Sequence, residues 1–156
     1  MQELIQKVEK WAEDKGLIDV ELAPKQYLKV LEEIGETTRA ILKNDKEGIV
    51  DGIGDICVTL IILAKQLDIK ISDDSRTVFK GSSIDKPFFA ATIFNSLFRS
   101  FSAGYINYDI LAKVSEIAFS QGYTLEFCLE SAWNEIKDRK GKLIDGTFVK
   151  DESRKK

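Results

Sequence analysis

Apolar residues recur at intervals of three and four along almost the whole chain, which is the period of an α-helix with one buried face. Leu4, Ile5, Val8, Trp11 and Ala12 form the first such stripe. Gly16, suited to the left-handed residue that follows a helix, closes it. Pro24 opens a second helix reaching about Lys43, with Leu28, Leu31, Ile34, Ile41 and Leu42 available as its apolar side. Asn44-Asp45 interrupts the pattern, and Asp45 can cap a third helix over 46–69. The second half of that helix is apolar on every side, as expected at the centre of a bundle. The polar stretch Ser72 to Asp85 reads as a loop. Further helices run from Pro87 to about Ser102, from Asn107 to near Gly122 and from Thr124 to near Arg139. A tail follows Gly141, with Asp145-Gly146 as a turn. Two prolines and ten glycines are too few for a many-turned sandwich or barrel. Short connections between long helices imply an all-α antiparallel bundle, one domain over residues 1–156.

Other properties narrow the chemistry. There is no histidine, so this chain offers no histidine general base and no imidazole metal ligand. Cys57 and Cys128 lie in apolar stretches with no CxxC spacing, and are expected to be buried and reduced. Met1-Gln2-Glu3-Leu4 has neither the basic nor the apolar region of a signal peptide. The longest apolar run, Ile56 to Ala64, falls far short of the roughly 20 residues that span a bilayer. A cytoplasmic protein without a membrane partner is the expectation. The net charge of −3 argues against a nucleic-acid partner. The charge is uneven: Lys137 to Lys156 holds eight Lys/Arg against four Asp/Glu. Phe88, Phe89, Phe94, Phe98 and Phe101 present more aromatic surface than one small domain easily hides. Core packing and a homo-oligomeric interface, in a dimer or tetramer, both account for them.

The most informative cluster is acidic. Glu32-Glu33-Ile34-Gly35-Glu36 is followed by Asp51-Gly52-Ile53-Gly54-Asp55. Residues four apart share a helix face, so Glu32 pairs with Glu36 and Asp51 with Asp55. Folding the two helices antiparallel about residues 44–45 puts Asp51 opposite Thr38 and Asp55 opposite Ile34. The glutamates then fall within roughly 3 Å of the aspartates along the axis, at about 1.5 Å per residue. Buried like charges are costly unless a cation compensates. Oxygen ligands alone select a hard ion, Mg²⁺ or Mn²⁺. Gly35, Gly52 and Gly54 cost helix propensity of about 1 kcal/mol each, which a close helix approach would explain. Two solvated acidic faces, with Lys29–Glu33 an ordinary surface pair, are the plainer alternative.

At these residues the chain resembles the MazG-like, all-α nucleoside triphosphate pyrophosphohydrolases, whose mark is EExxE on one helix and ExxD on the next. Glu32, Glu33 and Glu36 match the first element, and Gly54-Asp55-Ile56 the end of the second. Gln26-Tyr27-Leu28-Lys29-Val30-Leu31 precedes the motif much as in the family, and Trp11 to Leu17 resembles an N-terminal stretch of some members. Trp133 to Lys142 is similar to the C-terminus of compact, phage-type members. The first acid of ExxD is replaced by Gly52, and Asp51 is expected to take its place.

The resemblance implies Mg²⁺-dependent cleavage of a (d)NTP into the monophosphate and pyrophosphate. Glu32, Glu36, Asp51 and Asp55 would hold the metal, and Glu33 would orient or deprotonate water. Lys29, Lys137, Arg139 and Lys140 are the candidate phosphate cations, and Asn134 a contact to sugar or base. Trp11 can stack on a base or pack in the core. A dUTP- or dCTP-preferring hydrolase, a binding module without turnover and a helical interaction protein are the alternatives.

Overall fold

The computed structural model describes residues 1–71, 94–95, 99, 110–144 and 147–151. The expected loop after Ser72, the helix from Pro87 apart from residues 94–95 and 99, the first turn of the helix from Asn107, the Asp145-Gly146 turn and the basic end from Arg154 lie outside them; of the five phenylalanines only Phe94 is described, and it is buried. The fold is all-α, and the described residues include one small hairpin. Helix α1 spans Gln2–Asp14, α2 Ala23–Lys43, α3 Lys46–Gln66, α4 Ile110–Gln121 and α5 Leu125–Ile136. None of them is long and apolar enough to cross a membrane.

The caps follow the sequence. Gly16 has φ +71° after α1, and Pro24 lies in the first turn of α2. Asn44 turns the chain with φ 57°, and the Asp45 carboxylate accepts from the Gly48 amide at 3.1 Å to start α3. Helix α3 ends three residues before the expected position, at a turn through Asp68, whose φ is 55°. Its residues Ile56 to Ala64 are all buried, and it packs against α1, α2, α4 and α5. Cys57 and Cys128 are free and buried, and burial pushes both thiols up, Cys128 to about 12.

Two expectations fail here. The buried stripe of α2 is Ala23, Val30, Glu33, Thr37 and Ala40, whereas Leu28 and Leu42 are 67% and 76% exposed. Small side chains win that face because α2 lies close against α3. A Cβ at Gly52 would sit 3.1 Å from Thr37 Cα. One at Gly54 would press on the Cys128 carbonyl and lie 2.8 Å from Ala132 Cβ, on the opposite face of α3. Gly35, by contrast, is exposed and has open space where a Cβ would go, so close approach does not explain it. Gly54→Ala is therefore expected to cost about 1–3 kcal/mol through overpacking. Gly35→Ala should gain up to about 1 kcal/mol of helix propensity. Urea unfolding of the two variants measures both.

The second failure is the tail. Gly141–Ile144 (β1) and Thr147–Lys150 (β2) form an antiparallel hairpin, with Ile144 opposite Thr147 across a two-residue connection. Asp-Gly between short apolar runs is the chemistry of such a turn. The hairpin brings Phe148 edge-on to Trp11, ring centroids 5.8 Å apart and planes at 62°.

Candidate functional site

Helices α2 and α3 meet in the expected register: Gly52 faces Thr37. Side chains back-bond along each helix, Thr37 to the Glu33 carbonyl at 2.7 Å and Thr59 to the Asp55 carbonyl at 2.8 Å. Gln26 Nε2 donates to the Thr59 carbonyl at 3.0 Å and ties the two helices together.

A cavity of about 680 Å³ opens beside this pair. Glu32, Glu33, Glu36 and Asp55 line it, with Lys29 and Arg139. Glu33 is only 5% exposed. Its carboxylate takes an ion pair from Lys29 Nζ at 2.8 Å, and the same ammonium reaches Glu32 at 2.8 Å. Burial alone would lower Lys29, but its hydrogen bonds to Glu32 and Glu33 prevail and hold it up. Asp55 is half-buried in the lining of the same cavity. Its carboxyl is pushed up to about 7, first by burial and then by the charges of Glu33 and Asp51, while Arg139 pulls the other way. Arg139 follows α5, with Nη2 3.6 Å from Glu135.

The other expected residues stand apart. Asp51 is exposed and lines a different groove with Tyr123, Phe127 and Glu135. Gly52, where the motif has an acid, is pressed against Thr37, so the close helix contact occupies the space a side chain would need. Asn134 and Lys137 are exposed and paired with each other at 2.9 Å, and neither lines the cavity. Lys140 is exposed and away from it as well.

Several cavity residues lie outside the acidic motif. Lys25 and Gln26 enter from the first turns of α2, Trp11 from α1, Gln66 from the end of α3 and Phe148 from the hairpin. Only the Asp145-Gly146 pair could have signalled Phe148, because a two-residue turn folds the following strand back.

The donor set suits a hard divalent cation. Four carboxylates face one cavity, and one of them, Asp55, is pushed up to about 7, first by burial and then by neighbouring negative charge. In the described residues no three carboxylates or thiols are gathered closely enough to grip an ion as they stand. Lys29 instead supplies the positive charge to Glu32 and Glu33.

Residues 21–82 match the model of the MazG nucleotide pyrophosphohydrolase domain. A protein of Haemophilus phage HP1 (strain HP1c1), described as an uncharacterized 18.2 kDa protein in the rep-hol intergenic region, is 44% identical over 66 residues. That stretch is 42% of this chain and 40% of the phage protein. No solved structure matches the chain at a significant level.

Proposed function

We propose that this chain, MazG-like over residues 21–82, hydrolyses nucleoside triphosphates between the α and β phosphates. Water adds to the α-phosphorus and pyrophosphate leaves, giving the nucleoside monophosphate. The single observation that carries this reading is the one cavity lined by Glu32, Glu33, Glu36 and the half-buried Asp55. Carboxylates alone would repel a triphosphate, so a cation has to reverse the charge there. Glu32, Glu36 and Asp55 would hold Mg²⁺ or Mn²⁺, with Asp51 the fourth acid, coupled to Asp55 through its charge. The bound ion would neutralise phosphate charge and lower the pKa of an attacking water. Glu33 orients that water and takes its proton. Lys29 and Arg139 meet the remaining phosphate charge from inside the cavity. Lys137, Lys140 and Asn134 would act from its exterior rim. A homo-oligomer, dimer or tetramer, belongs to the same reading, since a second copy would cover exposed apolar surface such as Leu42.

A panel of ribo- and deoxyribonucleoside triphosphates, dUTP and dCTP included, tests the activity directly. Equal amounts of monophosphate and pyrophosphate should appear with Mg²⁺ and disappear with a chelator. Release of orthophosphate in place of pyrophosphate would reject cleavage at the α–β bond. A second reading, nucleotide binding without turnover, draws on the position of Asp51 outside the cavity. Pyrophosphate release by the unmodified chain separates the two, and Asp51→Asn then tests the outer acid. On the hydrolase reading it lowers turnover by about tenfold, the effect of an outer charge on a metal site.

A further inference from the structure

The cavity has a second end. Along α3, Asp55, Val58, Thr59, Ile62 and Gln66 all line it, one stripe of the helix. Asp55 and Gln66 are eleven residues apart, about 16 Å at 1.5 Å per residue, a distance that an extended nucleotide spans. At the far end the character changes from carboxylate to apolar, with Leu17, Leu22, Ile62 and Phe148 in the walls.

Two buried polar atoms in that apolar end have no partner among the described residues: Trp11 Nε1 and Gln66 Oε1. Trp11 is 8% exposed and Gln66 6%. The Gln66 amide cannot be turned to relieve this. Its Nε2 donates to the Leu17 carbonyl at 2.7 Å, and a carbonyl only accepts, so Oε1 must be the atom left over. Buried polar groups are nearly always paired, so an indole donor and an amide acceptor left without a partner on two side chains that line one cavity call for a ligand.

We infer that this end of the cavity is a nucleobase subsite, in which the Trp11 indole N–H and the Gln66 carbonyl read the hydrogen-bonding edge of the base. It rests on the preceding reading for the identity of the ligand's phosphate end. A base is flat, with apolar faces for walls such as Ile62 and Phe148. Its edge carries an acceptor beside a donor, the complement of the two open groups. A sugar hydroxyl could satisfy both atoms but would gain nothing from apolar walls.

The test uses the full chain labelled with ¹⁵N, which has two indole N–H signals, from Trp11 and Trp133. Trp133→Phe, at a half-buried position on α5, assigns them. With Mg²⁺ present, a nucleoside monophosphate or a non-hydrolysable triphosphate should move the Trp11 indole signal. Ribose 5-phosphate and inorganic tripolyphosphate should leave it in place. Trp11→Phe, which keeps the ring bulk and removes the donor, should weaken nucleotide binding by about tenfold, the worth of one hydrogen bond, and leave tripolyphosphate binding unchanged. The subsite is rejected if nucleotides bind while the Trp11 signal stays still, if ribose 5-phosphate moves it equally, or if Trp11→Phe weakens nucleotide and tripolyphosphate alike. Absence of any nucleotide binding rejects it too. Pyrophosphate release with an unmoved indole sinks only the subsite. A moved indole without pyrophosphate release sinks only the hydrolytic reading.

Discussion

Glu33→Gln leaves the bundle folded and lowers pyrophosphate release by about 10²–10⁴-fold, the usual contribution of a positioned general base. Glu33 is the most enclosed of the acids that line the cavity, at 5% exposure, and it points to the same space as Asp55. The amide keeps the shape of the side chain and an oxygen for Lys29, so the loss falls on proton transfer and not on packing. Circular dichroism on the variant should match the parent, and steady-state kinetics should place the loss in kcat. A variant with full turnover would move the base elsewhere. A variant that unfolds would show that the Lys29–Glu33 pair serves stability first.

Asp55→Asn has the larger effect on cation binding, and its sign on stability is opposite to that of most mutations at a salt bridge. The carboxyl lies at about 7 in the folded chain against an ordinary value of 3.8. Between those values the folded state holds a proton that the unfolded state has released. Stability of the metal-free protein therefore falls as pH rises from about 4 to about 7, then levels. At about 1.36 kcal/mol per pKa unit the full penalty is on the order of 4 kcal/mol. Asparagine carries no such charge. Asp55→Asn should flatten that part of the pH profile and make the metal-free protein more stable at pH 8, as thermal melts in chelator would record. The same substitution should abolish Mg²⁺ or Mn²⁺ binding in titration calorimetry and reduce turnover at least a hundredfold. In the unmodified chain, cation affinity should rise with pH up to about 7, because the ion must displace the Asp55 proton. Parallel pH–stability curves for the two proteins would place the source of the shift outside Asp55.

The acids of the candidate site were visible in the sequence for a simple reason. Four-residue spacing is converted to a shared face by helix geometry alone, and Asn44-Asp45 marks where the chain reverses. The facing of Gly52 and Thr37 confirms the register that follows from that reversal. What the spacing could not give is depth. Asp51 and Asp55 are four apart, yet four residues turn a helix by about 40° past a full circle and carry it about 6 Å along. That is enough to leave Asp55 beside α2 in the cavity and Asp51 in the groove beside Tyr123 and Phe127. The leucines of α2 mislead for a related reason. Periodicity locates an apolar stripe but says nothing about the space available, and the buried side of α2 holds Ala23, Val30, Glu33, Thr37 and Ala40 while Leu28 and Leu42 stay exposed.

Helix period, caps and the antiparallel register of α2 and α3 are local properties, set by residues near one another in the chain, and the sequence alone determined them. So did the presence of several carboxylates with no histidine to share their work. Tertiary structure decided which of those carboxylates face one cavity, how deeply Asp55 is buried and that Lys29 bridges Glu32 and Glu33. It also brought together Trp11, Gln66 and Phe148, which lie on α1, α3 and the hairpin and share no spacing rule. Burial and the partners of a polar atom depend on what the rest of the chain packs against it, and that is a property of the whole fold.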